Sequence, residues 1–190
     1  MRKSKLSKPT TKTNNTALKV KVRLRLDNLP RKRTVKVLDL FCGDGLVWQK
    51  IKESSNKDII ITSIDRKHIT RKLHLVGDNT KFLQSIGIDN YDIIDLDAYG
   101  FGFKQLRWLL THKMKRNAII HLTFIQSQFG ALPNQFLRDL GYTQKMIKKI
   151  PTLFYRNGLQ KLLVWLSARG IRSIKFYSNN KRKHYLCFSL

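Results

Sequence analysis

Val37-Leu-Asp-Leu-Phe-Cys-Gly-Asp-Gly-Leu46 is the stretch on which the reading of this chain turns. An apolar run, then a turn with two glycines, then a helix-like stretch describes a strand passing through a tight loop into a helix. In open α/β sheets such a loop lies at the carboxyl edge and brings backbone close to a ligand. Gly43 and Gly45 suit that approach because neither has a Cβ to collide with it. Asp39 sets the loop apart. A phosphate-binding loop would not want a carboxylate there, whereas a cationic amino-acid ligand would.

From this stretch to the end of the chain, short apolar runs alternate with helix-like ones. Strands are expected at 35–40, 58–64, 72–76, 91–96 and 117–123, and helices at 45–53, 79–86 and 102–113. That alternation implies a parallel sheet wrapped on both faces by right-handed crossovers. The end differs. Residues 158–168 read as an amphipathic helix carrying Leu159, Leu162, Leu163 and Leu166, and it stops at Gly170. Runs at 171–178 and 184–189, joined by Asn179-Asn-Lys-Arg-Lys183, read as an antiparallel hairpin. The expected fold class is α/β: a doubly wound, mostly parallel sheet that ends in an antiparallel β-hairpin.

Ahead of the domain expected at 35–190, residues 1–17 are basic and polar and read as a disordered arm. Residues 18–26 alternate strictly: Leu18, Val20, Val22, Leu24 and Leu26 interleave with Lys19, Lys21, Arg23 and Arg25. A period of two predicts a strand with one apolar and one cationic face. A basic linker through Arg31, Lys32 and Arg33 completes the segment 18–34. The cationic face protects an edge strand from unwanted pairing, or lies along a phosphate backbone; the two are compatible. On the second reading Lys19, Lys21, Arg23, Arg25, Arg31, Lys32 and Arg33 are nucleic-acid contacts.

Composition favours that partner. Thirty-eight Lys and Arg against twelve Asp and Glu leave a formal net charge of +26. Self-repulsion on this scale opposes a compact state, so an acidic partner is expected. Nucleic acid is the commonest, because neutralised phosphates release counterions. No apolar run nears the ~20 residues of a membrane span, and no long amphipathic helix has a basic face, so a membrane is not expected as partner. Cys42 and Cys187 suggest no disulfide framework, and the five histidines show no metal-ligand spacing. A reducing, cytoplasmic setting fits; the acid-free arm is also compatible with organellar targeting.

Asp39-Leu-Phe-Cys-Gly-Asp-Gly45 resembles the first motif of the class I methyltransferases that use S-adenosylmethionine, and its Leu-Phe-Cys-Gly form is familiar in DNA and RNA methyltransferases. The resemblance implies a Rossmann-like methyltransferase sheet and S-adenosylmethionine as cofactor. It sets Asp39 toward the ligand's amino group and Phe41, Gly43 and Gly45 around its methionine portion. Asp65, ending the second strand about twenty residues past the glycines, stands where an acid accepts both ribose hydroxyls. Asp78, after the third strand, is the candidate for the adenine amino group. Singly, each reads as well as a helix cap or a loop carboxylate. Joint placement at three successive strand ends in an acid-poor chain is what gives them weight.

Tyr91-Asp-Ile-Ile-Asp-Leu-Asp-Ala-Tyr-Gly100 resembles the catalytic motif of enzymes that methylate exocyclic amines, Asp/Asn-Pro-Pro-Tyr/Phe. It is most similar to the Asp-Pro-Tyr-Gly of tRNA guanine-N2 methyltransferases, with Ala98 in place of proline. Such an amine is a poor nucleophile because its lone pair is delocalised into the base. The resemblance implies that the Asp97 carboxylate and the Ala98 carbonyl hold the amine with that lone pair toward the methyl group. Tyr99 would stack on the base, which must leave its helix to be reached. The function expected is methyl transfer to a nucleic-acid base amine, RNA rather than DNA because of the Asp-x-Tyr-Gly resemblance and because no room is left for a domain that reads base edges. A partner protein that presents the substrate is compatible. The alternatives are a DNA amino-methyltransferase and a non-catalytic nucleic-acid-binding protein on a degenerate methyltransferase fold.

Overall fold

The computed structural model describes residues 17–66, 74–126, 131–150 and 155–190; residues 1–16 of the arm expected at 1–17 and the first residues of the strand expected at 72–76 lie outside the described residues, while Ala17, the last residue of that arm, is buried. The elements follow in the order α1 (Leu18–Leu26), β1 (Thr34–Asp39), α2 (Leu46–Ser54), β2 (Asp58–Asp65), β3 (His74–Val76), α3 (Asn79–Ser85), β4 (Ile93–Leu96), α4 (Phe103–Leu109), β5 (Ile119–Ile125), α5 (Asn134–Asp139), α6 (Gln144–Lys149), α7 (Gly158–Ser167), β6 (Ile174–Asn180) and β7 (Lys183–Ser189). One seven-stranded sheet has the order β3-β2-β1-β4-β5-β7-β6. β1 to β5 pair in parallel, and β7 joins antiparallel between β5 and β6. The mostly parallel sheet with a terminal hairpin is the architecture that the alternation of runs predicts.

Each central strand is buried on both faces, as parallel strands under helices must be. On one face Val35, Val37 and Ile93 pack with Trp48 and Ile51 of α2. On the other, Leu38, Ile94, Ile120 and Leu122 pack with Leu106 of α4 and Leu162, Trp165 and Leu166 of α7. Strand order reverses direction at β1, between β2 and β4, which is where open α/β sheets bind ligands.

The strand expected at 18–26 is instead the helix α1, which packs against α2 and β7. Strict alternation fails here because a tertiary match overrides it. Residues four apart on a helix are separated by ~6 Å along its axis, and residues two apart on a strand by ~6.6 Å. Lys21 and Arg25 therefore reach Asp97 and Asp95 of the β4 region together, at 2.7 Å and 2.6 Å. Only a helix can present both cations to both acids. Residues 18–26 are thus part of the domain's packing, with α1 starting at the sheet's carboxyl edge and running down β4.

Candidate cofactor and acceptor site

The loop after β1 takes its form from two glycines with left-handed backbone, Gly43 (φ 51°) and Gly45 (φ 66°), a region that other residues enter only with strain. Gly45 N–H donates to the Cys42 carbonyl at 2.7 Å, and Cys42 N–H donates to the Ile64 carbonyl of β2 at 3.3 Å. Asp65 accepts from Gly43 N–H at 3.0 Å, tying the end of β2 to the glycine loop. Two of the expected ligand residues are therefore in direct contact. Phe41 is half-buried and its ring packs over Gly102, where an added Cβ would come within 3.3 Å.

Asp39 is buried, and one of its oxygens accepts from Phe41 N–H at 3.4 Å. Burial, then the neighbouring carboxylates of Asp95 and Asp97, pushes its pKa well above the ordinary carboxylate value, with Arg25 pulling the other way. A buried acid held in an unfavourable field is one that a cationic ligand would relieve. Asp78 caps α3 by accepting from Thr80 and Lys81 N–H at 2.9 and 3.3 Å, and pairs with Arg66 at 3.0 Å. Burial works against the charge, but these donors together hold the Asp78 carboxyl below its ordinary value. Behind it, Asn79 donates to the Leu40 carbonyl at 2.9 Å and accepts from Gln105 at 2.8 Å, which fastens the starts of α3 and α4 to the end of β1.

On the other side of β1, Asp97 accepts from Thr123 Oγ1 at 2.6 Å and from Lys21 Nζ at 2.7 Å. Ala98 is buried, whereas Tyr99 is 76% exposed. Gly100 accepts from Ile125 N–H at 2.8 Å, and Phe101 bridges to Phe124, so the loop carrying Tyr99 is pinned to the end of β5. Beneath Asp97, Asp95 takes a two-point contact from Arg25 at 2.6 and 2.7 Å and a third bond from Trp48 Nε1 at 2.7 Å. Burial disfavours the Arg25 charge, but Asp95, then Asp97, more than offsets this and raises its pKa. His121 and the Tyr185 hydroxyl are buried in the same layer with no hydrogen-bond partner among the described residues. Burial, then Arg25, drives the His121 pKa well below its ordinary value; burial, then Asp97, pushes Tyr185 up to about 12.

The structure scatters the residues expected to meet nucleic acid. Arg25, expected on a solvent-facing cationic surface, is only 1% exposed, and Lys21 is spent on Asp97. Lys19 and Arg23 are exposed, Arg23 pairing with Asp27 at 2.8 Å. Arg31, Lys32 and Arg33 precede β1 and so stand at the edge opposite the site, where Lys32 and Lys115 both pair with Asp92. Sequence reading missed Asp95, Trp48, Thr123 and Gln105. The one available signal was numerical: cations four apart facing acids two apart. Among the described residues no group of three or more His, Cys, Asp and Glu could hold a metal ion, and no helix is long and apolar enough to cross a membrane.

No protein-family model and no curated protein sequence matches this chain. Solved structures do match it in shape. A SAM-dependent methyltransferase from Archaeoglobus fulgidus superposes with a TM-score of 0.55 at 16% identity, over 90% of this chain and 93% of that one. An O-methyltransferase from Bacillus cereus, in complex with SAH, gives 0.53 at 14% identity, over 96% of this chain and 84% of that one. The CurJ carbon methyltransferase gives 0.51 at 13% identity, over 93% of this chain, which spans 56% of that larger one. Their acceptors differ, and what they share with this chain is architecture. The fold is the Rossmann-like fold of the class I S-adenosylmethionine-dependent methyltransferases.

Proposed function

We propose that the protein is an S-adenosylmethionine-dependent methyltransferase that acts on nucleic acid, RNA in preference to DNA, at a base amino group. The observation that carries this reading is the arrangement of acids at one sheet edge: Asp39, Asp65 and Asp78 follow β1, β2 and β3 around a loop with two left-handed glycines, and Asp97 follows β4. This donor set fits the cofactor. A buried carboxylate with a raised pKa suits an ammonium group, and Asp65 and Asp78 suit ribose hydroxyls and an adenine amine. The bound cofactor would supply an activated methyl group on a sulfonium. Asp39 would hold the amino group, Gly43 and Gly45 would admit the methionine chain, and Asp65 would keep the glycine loop in register while accepting the ribose.

Asp97 and the Ala98 carbonyl would hold the acceptor amine, and Tyr99 would stack on its base. The two Asp97 oxygens already accept from Thr123 and Lys21. Each carboxylate oxygen has a further lone pair, so these partners fix the carboxylate's orientation and leave it able to accept from the amine. When the acceptor nitrogen takes up the methyl group, Asp97 or water would accept the proton that the nitrogen gives up.

A test is transfer of labelled methyl from S-adenosylmethionine to unmodified total RNA and to unmethylated DNA. Label in nucleic acid that Asp97→Ala and Asp97→Asn both abolish, with cofactor binding retained, supports the reading. The Lys21–Asp97 pair and Ala98 favour a second one, a nucleic-acid-binding protein that has lost catalysis. It predicts salt-sensitive RNA binding with no affinity for the cofactor.

A further inference from the structure

The sheet brings to the acceptor edge a feature that neither motif contains. β5 runs toward that edge, and β7 starts from it. Ile125 pairs with Lys183, and Gln126 N–H donates to the Arg182 carbonyl at 2.8 Å. On its other side the end of β5 holds the Tyr99 loop through Gly100 and Phe101. The turn between β6 and β7, with Lys181 and Arg182 exposed, therefore stands about two strand spacings, ~10 Å, from the Tyr99 loop.

Cations meet at this place: Lys181 and Arg182 are exposed in the turn, and Lys183 opens β7. Lys21 and Lys183 both lie near the ring of Tyr185, with Nζ at 5.6 and 5.9 Å from its centroid. Tyr185 is the register partner of Thr123, the residue that holds Asp97. Burial, then Lys21, lowers the Lys183 pKa, with Asp97 opposing: like charges crowd here, and an anion beside them would relieve the crowding. Tyr177, register partner of Tyr185 on edge strand β6, is exposed and offers a second flat surface in the same row.

Resting on the function just proposed, we infer that Lys181, Arg182 and Lys183 form the phosphate-binding wall of the acceptor site. They grip the backbone of an unpaired nucleic-acid strand beside the nucleotide whose base stacks on Tyr99. Cations supply sequence-independent hold, and the aromatic rings supply stacking that every base can join. Unpaired RNA and unpaired DNA share this chemistry.

The test measures anisotropy of fluorescent single strands of about 12 nucleotides, RNA and DNA, and of the matching duplex, with full-length protein and S-adenosylmethionine. Lys181→Ala/Arg182→Ala is compared with Arg31→Ala/Arg33→Ala, which removes equal charge from the opposite edge. The first variant should lose about tenfold or more in single-strand affinity, and its log–log salt slope should flatten by about 1.4, roughly 0.7 per cation. The second should stay within about twofold of wild type. Tyr99→Ala should weaken binding by about tenfold with an unchanged slope, the cost of one lost stack. Equal losses in the two double variants, no loss in the first, or tighter binding of duplex than of either strand overturns the proposal. If wild type methylates nucleic acid and the Lys181→Ala/Arg182→Ala variant binds and turns over like it, this proposal fails and the function stands. If wild type neither binds nor methylates any strand, the function fails and takes the proposal with it.

Discussion

At the residue scale, the layer beneath α1 is held together by charge in a dry setting. Arg25 and Asp95 are both buried, joined by two hydrogen bonds, with Trp48 donating a third. Removing one member of such a pair leaves an unpaired buried ion, at a cost of about 3–5 kcal/mol, more than the pair itself contributes over an apolar replacement. Arg25→Met should therefore unfold at markedly lower urea, and Arg25→Met/Asp95→Leu should lose less than the single variant. A double variant as unstable as the single one would show that the pair is not coupled. Two buried groups give opposite pH signatures. Asp39 has a raised pKa when folded, so its contribution is fully present below its ordinary value of 3.8 and is lost as pH rises through the folded value. Asp39→Asn should raise the melting temperature of the ligand-free protein at neutral pH, with the gain vanishing below about pH 4, while weakening cofactor binding. His121 has a depressed pKa, so its contribution is present above its ordinary value of 6.5 and is lost as pH falls through the folded value. The melting curve of His121→Leu should fall less than that of wild type over that window. Parallel curves would remove His121 as a cause of acid sensitivity.

At the scale of elements, α1 is where local pattern and tertiary structure disagree. Its strict alternation and β-branched valines favour a strand, although Val22 and Leu26, four apart, share a helical face that packs on the Trp48 layer. It is helical because Ala17, Lys21 and Arg25, four residues apart, line one face over the sheet. Val22→Pro separates the two conformations. In the middle of a helix proline costs about 3 kcal/mol or more, whereas an edge strand tolerates it. Denaturation should show the larger loss, and circular dichroism should show less helix; an unchanged midpoint would restore the strand. The terminal hairpin is the opposite case. Its register with β5 is set by buried alternation, Tyr185 and Cys187 on one face and Leu186 and Phe188 on the other, which a slip of one residue would invert.

Across the whole molecule, a formal charge of +26 on 190 residues works against folding. Twelve acids cannot neutralise it, and several of them are engaged in the site or beside it: Asp39, Asp65, Asp78, Asp95 and Asp97. Repulsion is long-ranged at low salt and screened within ~10 Å at 0.1 M. The melting temperature should rise with sodium chloride from about 0.02 to 0.2 M, and a polyanion such as heparin should give the same rise at the lower concentration. Nucleic-acid binding should show the reverse, weakening steeply over the same range. A melting temperature independent of salt would mean that the excess charge is already compensated within the fold.

The sequence by itself determined the parallel α/β sheet, its terminal hairpin and the carboxyl-edge acids, because apolar runs of strand and helix length and a Gly-rich turn between them are local signals. Asp39, Gly43, Gly45 and Asp65 were legible for that reason, each lying at the end of a strand that its own residues announce. Only the tertiary structure decided that 18–26 is a helix, that Lys21 and Arg25 serve Asp97 and Asp95 at distances of about 70 residues or more along the chain, and that the basic turn at 181–183 lies at the same sheet edge as the Tyr99 loop. Local periodicity records which side chains share a face. It cannot record what that face meets, and in a chain so rich in cations the partner, not the pattern, settles whether a charge is exposed, buried or part of a site.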